Sequence, residues 1–146
     1  MDQLSLERSH AVINNLVPMV ALAQELQWSI SELVQWNINK YYTHGYHDSW
    51  VRKHNWGNVQ VYATFFLQGR KLVSERDPII KHTDTIIVES TPWYLVHAVH
   101  SLFFYDIELE HLLSFIGELA TAHAKLCGVK LKITYKKNKE MASFFY

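Results

Sequence analysis

The chain is short of most features that announce a function. It has a single cysteine, Cys127, so no intrachain disulfide can form, and a lone thiol on an apolar face behaves as a small hydrophobe. Charge of one sign is missing too, because 14 basic residues balance 14 acidic ones. A nucleic-acid binder usually carries a marked basic excess, and steering toward a membrane surface or an acidic partner loses its usual basis. The longest apolar run, residues 92–105, is interrupted by His97 and His100 and is too short to span a bilayer. Residues 1–7 lack the charged and apolar regions of a secretory signal. No low-complexity tract occurs, and 49% of the residues are hydrophobic against 19% charged, which predicts a packed core. Together these absences lead to the expectation of a cytoplasmic protein with no membrane contact.

Catalytic constellations are equally sparse. Asp77, Asp84 and Glu89 invite comparison with metal-dependent nucleases, but Thr91 stands where a lysine is needed after the last carboxylate. The one His-x-Ser, His47-Asp48-Ser49, has no second copy to complete a two-histidine phosphoesterase pattern. The sequence therefore leans away from an enzyme and calls for no cofactor.

What is present begins with a long amphipathic segment. Leu109, Leu112, Leu113, Ile116, Leu119, Ala120, His123 and Cys127 recur at spacings of three and four, which puts them on one face of a helix. Asp106 is suited to cap that helix at its start, and Gly128 to close it in a left-handed conformation. The period then changes to two, with Val129, Leu131, Ile133 and Tyr135 alternating against lysines and Thr134, as in a half-buried strand. Six lysines between positions 125 and 139 form the main charge cluster, read as a solvated strand face.

Toward the N-terminus, residues 9–27 follow a helical pattern that Pro18 must kink or restart. Ser29-Ile30-Ser31-Glu32 has the spacing of a capping box, opening a second helix that ends near His44-Gly45. Alternation predicts strands at 58–68 and 82–89, with a hairpin turn at Gln68-Gly69-Arg70 leading into residues 71–75. Ser90-Thr91-Pro92 favours a helix from Trp93, while residues 93–105, apolar on every side, equally suit a buried central strand. The expected architecture is thus α+β in one domain over 1–146. It comprises an αα-hairpin over 1–44, then, over 58–146, a mostly antiparallel sheet of four to five strands with the long helix packed on it. Residues 60–67 and 82–89 are the expected central strands.

Three functional readings follow from these residues. Aromatic residues make up 14% of the chain, and Trp and Tyr suit half-wet contact surfaces. The first reading is a small non-enzymatic binding or regulatory protein that contacts a protein partner through Trp50, Arg52, Lys53 and Trp56, with homodimerisation expected. In the second, the run from Leu22 to Trp36 resembles the core of a helix-turn-helix DNA-binding motif, with Ala23, Leu26, Ser29, Leu33 and Trp36 at the family's positions. Gln27 stands where that family usually has a turn glycine. The run from Leu22 to Tyr42 is also similar to the two helices of ribbon-helix-helix repressors, with residues 3–7 as a short strand. Either resemblance implies DNA contact by Ser31, Gln35, Asn39 and Lys40, where amide side chains suit adenine edges. The third reading gathers His44, His47 and His54 as zinc ligands on a loop, with hydrolytic chemistry to follow.

Overall fold

The computed structural model describes residues 2–41, 45–96 and 106–146. Among them are six helices and a four-stranded antiparallel sheet, an α+β arrangement. The helices are α1 (Gln3–Glu25), α2 (Ile30–Tyr41), α3 (Gly45–His54), α4 (Val59–Lys71), α5 (Trp93–Val96) and α6 (Leu109–Leu126). The strands are β1 (Ile79–His82), β2 (Ile86–Ser90), β3 (Lys130–Lys136) and β4 (Lys139–Phe145), in the order β1-β2-β4-β3.

The capping box forms as the spacing predicts. The Ser29 amide donates to Glu32 Oε2 at 2.7 Å, and the Glu32 amide donates to Ser29 Oγ at 3.1 Å, so two orphan amides of α2 are satisfied reciprocally. The turn before it closes α1 with Gln27 at φ 60° and the Trp28 amide donating to the Ala23 carbonyl at 2.8 Å. Asn55 ends α3 and Gly128 ends α6 in the same way, at φ 55° and 81°. Trp56 reaches back to Val51, and Val129 to Ala124. Each is a Schellman closure, and glycine holds the left-handed position in only one of the three.

Several expectations need correction. The predicted strand at 58–68 is helix α4, and the predicted turn at 68–70 lies inside it. The run satisfies both periods, but Asn58 decides between them: its Oδ1 accepts from the amides of Gln60 and Val61 at 3.0 and 3.1 Å, a helix start. Burial then follows the helical period, with Tyr62, Ala63, Phe66 and Leu67 inward. Residues 71–75 form no strand; Ser74 makes one isolated bridge to Pro92. The predicted strand at 82–89 is divided by a turn at Thr83, whose amide donates to the Thr85 carbonyl at 2.9 Å. Only its second part, within β2, is interior to the sheet.

Further corrections concern the helices. Residues 3–7 belong to α1, where Gln3 bonds Glu7 at 2.9 Å one turn on. Pro18 sits inside α1 without ending it, because burial of Val17, Val20 and Ala21 outweighs the missing hydrogen bond. Asp106 does not cap α6. It adopts φ 56°, and Glu108 takes the cap position with no side-chain hydrogen bond to the helix. The neighbouring Ile107 is fully buried and anchors this entry instead. The segment holding His44 is helix from Gly45, not loop, and His44 itself lies outside the described residues. Trp93 does start a helix, α5; His97 and His100 lie outside the described residues.

Two hydrophobic cores result. The helical core joins Ile13, Val17 and Val20 of α1, Leu33 and Ile38 of α2, and Leu112 and Phe115 of α6. The sheet-side core joins Tyr62, Phe66 and Leu67 of α4 to Val88, Leu131, Ala142 and Phe144. The end of α6 enters it through Ala124 and Cys127. Thus α6 is common to both cores, and it packs on α2 as well as on β3.

Candidate functional site

A cavity of about 510 Å³ opens between α3, α4 and α6. Helical spacing builds its walls. Trp50 comes from α3, Phe65 and Phe66 from α4, Phe115 and Leu119 from α6, and Trp56 from the α3–α4 turn. The aromatic rings brace one another. Trp56 and Phe65 lie 4.5 Å apart between centroids, and His54 is stacked between Trp50 (4.6 Å) and Trp56 (5.3 Å). Such contacts add about 0.5–1.5 kcal/mol per pair beyond burial.

Polar groups enter this wall at two places. At the first, His47 Nε2 and His123 Nε2 are 3.1 Å apart, and Tyr62 Oη is 2.8 Å from His123 Nδ1. All three residues are buried. Burial, with His47 adding to it, pushes the His123 imidazole down to about 4, so the ring is neutral at pH 7. Cys127 follows His123 by one helical turn, and burial pushes its thiol up to about 11. The ligand atoms of His47, His123 and Cys127 lie within 4.8 Å of one another, a set able to hold a metal ion.

The second polar place is a buried ion pair. Arg70 Nε donates to Glu140 Oε1 at 2.6 Å and Arg70 Nη2 to Glu140 Oε2 at 3.2 Å. The β3–β4 register fixes Glu140 opposite Tyr135 and, across β2, opposite Ser90, all in one row of the sheet. Glu140 is fully buried. Burial alone would lower the pKa of Arg70, but the Glu140 carboxylate more than offsets this, and the net shift is upward. The guanidinium also lies 4.2 Å from the Phe66 ring centroid. With Nε and Nη2 both bonded to Glu140, Arg70 brings an already neutralised guanidinium to the cavity wall.

The residues singled out from sequence fall in different places. Trp50 and Trp56 line the cavity, while Arg52 and Lys53 are exposed, with Lys53 Nζ 5.2 Å from the Trp50 ring. Of the expected zinc set, His47 is in the buried cluster. His54 is seven residues further along α3, about 10 Å away by helical rise, and is held between two indoles. Ser31, Gln35, Asn39 and Lys40 are exposed on α2. Ser31 Oγ donates to Glu118 Oε2 at 3.0 Å, Gln35 bonds Asn39 at 2.9 Å, and Glu110 and Glu118 share a groove with Ser31 and Gln35. Sequence reasoning placed His123 and Cys127 only in the apolar face of the long helix, and it passed over Tyr62. The available signal was the His-x3-Cys spacing, which stacks two ligand-type side chains on one helical face.

No protein-family model matches the chain, and no solved structure matches it. A protein of Bacillus subtilis (strain 168), named "Uncharacterized protein YxnB", is 24% identical over 145 residues, covering 99% of this chain and 91% of that one. The alignment runs over nearly the whole of this chain, and the relative's name carries no activity.

Proposed function

We propose that this protein is a binding domain for a neutral, largely apolar, planar small molecule held in the cavity between α3, α4 and α6. The observation that carries the reading is the cavity itself. Its volume of about 510 Å³ is in the range of drug-sized ligand sites, which are mostly apolar with a few placed polar groups. Its walls combine indole and phenyl rings with aliphatic Leu16, Ile116 and Leu119, and the rings favour a flat ligand. The Arg70 charge is already matched by Glu140, so it offers an anionic ligand no net positive charge. The imidazoles of His47 and His123 provide the polar end. A cytoplasmic location fits a lone, buried, unpaired thiol.

The test is a fluorescence titration with N-phenyl-1-naphthylamine, a neutral aromatic probe. Saturable binding at one probe per chain is expected, lost in Ala120→Trp, whose indole would fill the cavity. Binding that survives this substitution in a folded variant would refute the reading.

A second reading, contact with a protein partner, has its own observation. Leu22, Leu26, Trp28 and Trp36 form an apolar patch at the α1–α2 end, each between 39% and 56% exposed. A second copy of this chain is the occupant to test first. Light scattering at rising concentration would give a dimer that Leu26→Asp returns to monomer. DNA contact by α2 has less to recommend it, since Glu110 and Glu118 border the same groove and would repel phosphate.

A further inference from the structure

We propose that His47, His123 and Cys127 form a binding site for a zinc ion. The inference rests on how the three side chains converge. They come from two separate elements, α3 and the end of α6, and their ligand atoms lie within 4.8 Å of one another in the protein interior. Two nitrogens bound to one zinc at about 2.0–2.1 Å with tetrahedral angles stand roughly 3.3 Å apart. The two Nε2 atoms are 3.1 Å apart, so the imidazoles need little movement to share an ion. Two imidazoles and a thiolate make a borderline-soft donor set suited to zinc.

Tyr62 gives the site the outer support that metal-bound histidines usually have. When His123 Nδ1 carries the proton, it donates to Tyr62 Oη at 2.8 Å. The lone pair of His123 Nε2 then points at the cluster rather than at solvent. Without an ion, one imidazole must donate its Nε2–H to the other. On binding, zinc replaces that shared proton, which moves to Nδ1 of His47, and the Cys127 thiol proton leaves to solvent as the Zn–S bond forms. His47 and His123 line the cavity, so a fourth ligand would approach zinc from that side. With three ligands among the described residues, the fourth position is left open, which distinguishes a reactive or ligand-accepting zinc from a purely structural one. The zinc site shares His47 and His123 with the cavity proposed above, but its test is read with no organic ligand present, so either reading can fail without the other.

The experiment is a cobalt(II) titration of the full chain after chelator treatment, followed by displacement with zinc. The expected result is one cobalt per chain, visible bands of four-coordinate intensity, and a near-ultraviolet thiolate-to-cobalt charge-transfer band. Cys127→Ser should remove the charge-transfer band and weaken binding more than tenfold. Tyr62→Phe should keep the band but weaken binding about 10–100-fold, the usual cost of losing an outer partner. A loss of affinity with the band intact separates positioning by Tyr62 from a general disturbance of the fold. If the wild-type chain gives no charge-transfer band, or binds cobalt equally well after Cys127→Ser, the proposal is overturned. The wild-type spectrum decides even if a variant fails to fold.

Discussion

The two cores use similar hydrocarbon but treat polarity in opposite ways. In the helical core, Ile13, Val20, Leu112 and Phe115 carry the packing, and the buried Asn37 amide bonds within its own helix, to the Leu33 carbonyl at 2.9 Å. In the sheet-side core, the Arg70–Glu140 pair and the Tyr62–His123–His47 chain run through the packing. The first core tolerates change according to volume. The second depends on each polar group keeping its partner, because an unpaired buried charge is far more costly than a small void.

The sharpest way to break this contrast is Glu140→Ala. Leaving the Arg70 guanidinium buried without its carboxylate should destabilise the fold by about 3–5 kcal/mol, measured by chemical denaturation. Replacing both partners, as in Arg70→Met with Glu140→Leu, should recover most of that loss, showing that the cost lies in the orphaned charge. In the helical core, Leu112→Ala should cost about 2–5 kcal/mol, set by the cavity left behind, and no second substitution at a polar site should rescue it. Ser29→Ala tests the edge of the same region. Loss of the capping box should cost about 1 kcal/mol, with Ser29→Asp retaining most of the stability.

The smallest effect belongs to the sheet surface. Hydrogen bonds from Lys81 and Lys139 hold the Glu89 carboxyl below its ordinary value of 4.5. A lowered folded-state value stabilises the fold above the unfolded pKa, and that contribution is lost as pH falls through the folded value. Wild type should therefore exceed Glu89→Gln by a few tenths of a kcal/mol at neutral pH. The gap should close below pH 4.5, as followed by thermal melts across that range.

How far each region was legible in the sequence follows the same division. The capping box, the glycine closure at Gly128, the apolar face of α6 and the alternation of β3 are local signals, and each is where the sequence put it. Helix α4 reads as a strand in the sequence because Val59 to Gln68 alternates and also repeats every three to four residues. Only the Asn58 cap separates the two readings. The departure of Gln27 from a turn glycine proves compatible with the turn, since the residue takes the left-handed conformation itself. The site was harder to read because its parts are 76 residues apart: His47 and His123 meet only through the packing of α3 against the end of α6. His47 was therefore grouped with its sequence neighbours, His44 and His54, rather than with its spatial ones. Cys127 and His123 belong to the apolar face in the sequence and are buried in the structure, and only the fold brings their ligand-type atoms to a third partner.

Phe115 has a final consequence. It is fully buried in the helical core and yet forms part of the cavity wall. Occupancy of the cavity is therefore thermodynamically linked to the whole chain rather than to the sheet side alone. A ligand present at 100 times its Kd would add about 2.7 kcal/mol to global stability. Heating should then show one cooperative transition moved upward, not a sheet-side domain rescued while the helices melt first.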